Sequence, residues 1–144
     1  MPATEEDVRQ MLTLLDQYRY QAERLAQQLQ VLTATEQELG AAWDFLKAFE
    51  GIEEEAEVKV PVGGGVFVSA KVTRPDKVIT AVGDDLSIEI PPTDAAERIG
   101  ERRDRVREFI KQVRGSIEQT ESSAMALQQQ AEAAFQELQA SKEP

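Results

Sequence analysis

Among its 144 residues the chain has no cysteine, no histidine and no asparagine, and it carries one tryptophan and two tyrosines. Without cysteine there is no disulfide framework and no thiolate nucleophile, and without histidine the side chain that titrates nearest neutrality is missing. The usual zinc ligand sets go with them. A Ser-His-Asp or Cys-His catalytic set is therefore impossible, and no carboxylate pair lies in a segment apolar enough to shift its pKa. Positive charge is scarce as well. Sixteen Lys and Arg against 27 Asp and Glu leave a net charge of −11, which opposes binding to a phosphate backbone. No apolar run is long enough to span a bilayer, and no apolar signal segment opens the chain. The expectations are no catalytic residue, no metal, no cofactor, no nucleic acid, no membrane, and a cytoplasmic location.

What the chain does have is heptads. Val8, Leu15, Ala22, Leu29 and Trp43 fall at one seven-residue spacing, and Met11, Tyr18, Leu25, Leu32, Leu39 and Leu46 at the other, with Glu36 the single interruption. Thr4 opens this segment with Asp7 three residues on, a capping arrangement, and Gly51 closes it. The same spacing returns in Ile99, Val106, Val113, Leu127 and Ala134 and in Ala96, Ile110, Ile117, Ala124, Ala131 and Leu138, broken by Arg103 and Thr120. Two coiled-coil helices are expected over 4–50 and 93–140, each about 65–70 Å long at 1.5 Å per residue. The second should start at Thr93 or Asp94, after Pro91-Pro92. If Glu50 is level with Asp94 in an antiparallel pair, the bulky Trp43 meets the small Gly100.

Between the helices, residues 56–91 hold four short runs rich in β-branched residues. Val58, Val60 and Val62 alternate with Glu57, Lys59 and Pro61, and Leu86, Ile88 and Ile90 alternate with Ser87 and Glu89. Gly63-Gly64-Gly65 and Gly83-Asp84-Asp85 sit where hairpin turns belong, with Arg74-Pro75-Asp76 between them. The triple glycine is not a phosphate loop, because no Lys-Ser/Thr pair follows and no helix begins there. Asp84-Asp85 lacks the further ligands of a calcium loop, and Glu53-Glu54-Glu55 reads as a solvated connector. Four strands this short cannot cover both faces within one chain, so pairing with other subunits is expected. Val60, Val62, Val66, Val68, Val78, Val82, Leu86 and Ile88 are the candidate oligomerisation residues.

The segment Val60-Pro61-Val62-Gly63-Gly64-Gly65-Val66-Phe67-Val68-Ser69-Ala70-Lys71-Val72, followed by Val78-Ile79-Thr80-Ala81-Val82-Gly83 between two long helices, resembles the alpha subunits of archaeal prefoldin. The second turn departs from that pattern, with two acids where the family more often has small residues. The resemblance implies an α+β fold: a long antiparallel coiled coil of N- and C-terminal helices joined by two β-hairpins that assemble into an intersubunit β-barrel. It implies a hetero-hexamer of two alpha and four beta subunits, an ATP-independent co-chaperone that captures unfolded proteins at coiled-coil tips and delivers them to a group II chaperonin. Candidate client-binding residues are Val8, Met11, Leu12, Leu14, Leu15, Ala131, Phe135 and Leu138. Off-seam apolar residues such as Leu12, Leu14 and Phe135 should face solvent or another molecule, and the small Ala124, Ala131 and Ala134 should help that end open. The alternative is a coiled-coil scaffold or tether that spaces partners and holds no client.

Overall fold

The structure, a computed structural model, describes residues 3–142. The element order is α1 (Glu5–Phe49), β1 (Glu57–Gly63), β2 (Val66–Lys71), β3 (Val78–Gly83), β4 (Leu86–Ile90) and α2 (Pro92–Lys142). Two compact units divide the chain. One takes residues up to 34 together with those from 107 onward, and the other takes residues 35–106.

In the first unit the two helices run antiparallel. Thr4 and Asp7 form a reciprocal cap at the start of α1: the Thr4 N–H donates to the Asp7 carboxylate at 3.0 Å and the Asp7 N–H donates to the Thr4 hydroxyl oxygen at 3.1 Å. Lys142, in the last turn of α2, pairs with Glu5 in the first turn of α1. Every seam residue here is buried or half-buried. Val8, Leu15, Ile110, Val113, Thr120, Ala131 and Ala134 are the most enclosed, so the threonine that breaks the heptad is accommodated inside the seam.

In the second unit Trp43 does meet Gly100, as the antiparallel register requires. A Cβ on Gly100 would lie 3.4 Å from the indole Nε1 and 3.5 Å from Cδ1, in direct contact with the ring, so a side chain longer than alanine's meets it. The Arg103 guanidinium lies over the same ring at 4.9 Å, which explains how a cation occupies a seam position: its charge faces a π-surface. Gly40 leaves room beside it, with an added Cβ 3.9 Å from Arg103.

Helix α1 ends in a left-handed Gly51, and the Ile52 N–H donates to the Phe49 carbonyl. Helix α2 begins earlier than expected, at Pro92 rather than Thr93 or Asp94. Proline fits the first helical position because the N–H it lacks would have no partner there. The Pro91 carbonyl instead accepts from both Asp94 and Ala95 at 3.1 Å.

The strands form two separate two-stranded antiparallel sheets, β1–β2 and β3–β4. Both hairpins are built alike. Val60 pairs with Val68 and Thr80 with Ile88, the register slips at Val62 and at Val82, and Gly63 then pairs with Val66 and Gly83 with Leu86. Each loop is two residues long with positive φ at both, +60° and +77° at Gly64-Gly65 and +49° and +60° at Asp84-Asp85. Those are the φ signs of a type I′ turn, which Gly adopts freely and Asp tolerates. The two acids therefore take the φ signs of Gly64-Gly65, and Gly83 at +104° matches Gly63 at +109°. The acidic connector is also structured: Glu55 takes a positive φ and its N–H donates to the Val72 carbonyl at 2.7 Å, extending the first hairpin's ladder. Arg74, in the link between the hairpins, donates to the Glu89 carboxylate on β4 at 3.2 and 3.3 Å.

Candidate functional site

The chain exposes apolar surface in two places of different construction. The first is on the hairpins. Pairing puts Val58, Val60, Val68 and Ala70 on one face of the first hairpin, and Val78, Thr80, Ile88 and Ile90 on one face of the second. Of the eight candidate oligomerisation residues, Val60, Val62, Val66, Val68, Val82, Leu86 and Ile88 are exposed and Val78 is half-buried. Only Ile90, among the strand residues, is buried. A two-stranded ribbon with an uncovered apolar face is marginal in water and offers unpaired N–H and C=O groups along its edges. Sequence reasoning passed over Phe67, as exposed as those candidates at 60%, and Ile79, more exposed than any of them at 74%. The signal was their position out of phase with the valines: each pairs on the opposite face, Phe67 with Pro61 and Ile79 with Glu89.

Beside the second hairpin lies a groove of about 710 Å³ between β3, the end of α1 and the start of α2. Phe45, Leu46, Ile79, Val82 and Ile99 supply its apolar lining, and Arg98 and Arg102 its charge. Phe45 stacks on Phe49 with ring centroids 5.8 Å apart yet remains 59% exposed.

The second apolar place is the unit that carries the chain's two ends. A groove of about 590 Å³ runs there between α1 and α2, with Met11, Leu14, Leu127 and Ala134 as its apolar lining and Asp7 and Glu137 as its charged members. The eight candidate client-binding residues divide three ways. Leu12, Leu14 and Phe135 are exposed, at 50%, 40% and 49%. Met11 and Leu138 are half-buried, and Val8, Leu15 and Ala131 are buried in the seam. Leu127, Ala133 and Ala134 line the groove without having been singled out as client-binding residues. In heptad terms Leu127 and Ala134 are seam positions, and only their three-dimensional placement beside Met11 shows that they border a groove.

Two carboxyls at this end are held below their ordinary values. For Glu5 the main cause is the hydrogen bond and charge of Lys142, and for Asp7 the Thr4 backbone N–H followed by its hydroxyl. Both groups are exposed, and their shifts come from the ion pair and the cap at this helix end. Among the described residues no cluster of three or more acids is arranged to hold a metal, and no helix is long and apolar enough to cross a membrane.

Comparison with known proteins decides among the families this architecture would fit. The family profile described as prefoldin subunit matches residues 18–137, which takes in most of both helices and all four strands. The chain belongs to the prefoldin family. This is a family of chaperones, not of enzymes. The prefoldin subunit alpha of Methanothrix thermoacetophila is 33% identical over 109 residues, 76% of this chain and 71% of that protein. The prefoldin subunit alpha of Methanoculleus marisnigri is 32% identical over 132 residues, 90% of this chain and 88% of that protein. For that of Methanosarcina barkeri the figures are 30% over 140 residues, 95% and 97%. A chain in the cryo-EM structure of filamentous PFD from Methanocaldococcus jannaschii superposes with a TM-score of 0.65 at 27% identity, covering 78% of this chain and 93% of that one. Two hairpins between two long helices, and relatives that are alpha subunits, agree on an archaeal alpha-type prefoldin chain.

Proposed function

We propose that the chain works as a nucleotide-independent holding chaperone, gripping unfolded proteins with the apolar residues of the unit that carries its two ends. The observation that carries this reading is the exposure of apolar side chains at this end, Leu14 on the groove that Met11 and Leu127 line, and Leu12 and Phe135 on other faces of the same helices. Nothing in a two-helix seam requires these side chains to point outward. Covering one leucine or phenylalanine is worth about 1.5–3 kcal/mol, so a single grip is weak and reversible. Several such ends on one assembly hold a client by multivalency. Val8, Leu15 and Ala131 add to the grip when the helix ends part, since they are otherwise buried in the seam.

Assembly supplies the other ends. In this reading the two hairpins pair with those of neighbouring subunits, two alpha and four beta, closing a β-barrel over Val60, Val62, Val66, Val68, Val78, Val82, Leu86 and Ile88. The assembly then works in the cytoplasm and passes its client to a group II chaperonin. A scaffold or tether is a second reading, favoured by the filamentous state of the M. jannaschii assembly.

An aggregation assay with a denatured substrate separates the two. The full-length chain assembled with its beta-type neighbour should suppress aggregation without nucleotide. Removing residues 1–14 and 128–144 should abolish suppression while leaving the native mass of the assembly unchanged apart from the trimmed residues. Full suppression by the trimmed assembly would refute client capture at this end, and no suppression by the intact assembly would favour the scaffold.

A further inference from the structure

The groove between the helix ends has one sign of charge. Among the described residues that line it, Asp7 and Glu137 are the ionised side chains, and both are acids. Among the described residues 3–16 and 127–142 the cations are Arg9 and Lys142 alone, and each already faces a carboxylate, Arg9 that of Glu6 at 4.0 Å and Lys142 that of Glu5. Asp7 accepts from the Thr4 N–H through Oδ2 at 3.0 Å, and among the described residues no cation forms an ion pair with Asp7 or Glu137. The groove of the other unit is the reverse case, since its charged members are Arg98 and Arg102. Acidity at the helix ends is therefore a property of that groove and not of every apolar surface on a chain of net charge −11.

On the proposed reading that this end takes unfolded chains, we infer that the groove selects a class of segment: an apolar core flanked by lysine or arginine. Met11, Leu14, Leu127 and Ala134 cover the core, while Asp7 and Glu137 meet the flanking cations at the solvent edge. An apolar segment flanked by glutamate brings like charges together at the same positions and is disfavoured. Solvent-exposed charge pairs are individually weak, and two of them together give a preference of about fivefold.

The test uses the full-length chain and two short unstructured peptides that share one Leu-Phe-Val-Leu core, flanked either by lysines or by glutamates. Fluorescence anisotropy in low salt should show the lysine-flanked peptide binding about fivefold tighter, with the preference shrinking in high salt. A double variant, Asp7→Asn with Glu137→Gln, should erase the preference while keeping affinity for the core. Asparagine retains a carbonyl oxygen for the Thr4 N–H, and circular dichroism confirms that the helix survives. Equal binding of the two peptides, tighter binding of the glutamate-flanked one, or a preference that persists in the double variant overturns the selectivity and leaves client capture standing. If neither peptide binds, or if Leu14→Ser weakens neither, client capture at this end fails and the selectivity fails with it.

Discussion

Trp43, set against Gly100 and covered by Arg103, fills the helix seam of one unit, whereas Val8, Leu15, Ala131 and Ala134 fill it in the other. A large ring set against a glycine favours that register over one that places a larger side chain there. Alanines bury little area each, so on the proposed function the seam at the helix ends is expected to open first. The exposed apolar surface divides in the same way. On the hairpins it accompanies unpaired strand edges, while between the helix ends it is a groove with an acidic border; the proposed function assigns the first to assembly and the second to transient holding.

The sharpest way to break this comparison is to charge one apolar surface at a time. Val60→Asp with Val68→Asp places two carboxylates on a cross-strand pair, which costs several kcal/mol if the pair is covered on assembly. Native mass spectrometry should then show single chains, whereas Leu14→Ser should leave the assembled mass unchanged. Next in size is the seam. Trp43→Ala should lower stability by about 3 kcal/mol, because it removes the ring that packs on Gly100 and carries Arg103. Ala131→Gly should cost only about 1 kcal/mol, chiefly in helix propensity. Urea unfolding followed by circular dichroism measures both.

Acid should act on the helix ends. The folded-state pKa values of Glu5 and Asp7 are depressed, so their contribution is complete above the ordinary carboxylate values of 4.5 and 3.8 and is lost as pH falls through the lowered ones. Amide exchange in the first turn of α1 should speed up in that acid window and remain slow around Trp43. The smallest effect belongs to the second hairpin. Replacing Asp84-Asp85 by Asn-Gly, the preferred pair for a type I′ turn, should stabilise it by about 1 kcal/mol or less, read as a rise in thermal midpoint.

Much of the fold was legible because its signals are periodic. Heptads located both helices, alternation located the strands, and the match of Trp43 to Gly100 set the register. The start of α2 was misread because Pro91-Pro92 looks like a stop, while the second proline is compatible with a first helical turn. The turn at Asp84-Asp85 was legible as a turn but not as a copy of the glycine turn, since αL backbone in aspartate leaves no mark in composition. The site was less legible. Heptad position separates Leu14 and Phe135 from the seam, but it does not tell which seam residues, such as Leu127 and Ala134, also border a groove. Arg98 and Arg102 were missed for the same reason: a charge on a helix face reads as solvated until a strand is seen beside it.

The central claim is that client chains are gripped between the helix ends and not on the hairpins. A photocrosslinking side chain placed singly at Leu14, Phe135 or Phe45 in the assembled protein, irradiated with a denatured substrate, tests it most directly. The account predicts strong substrate adducts from positions 14 and 135 and little from position 45. Adducts concentrated at position 45, with none from the helix ends, would contradict it.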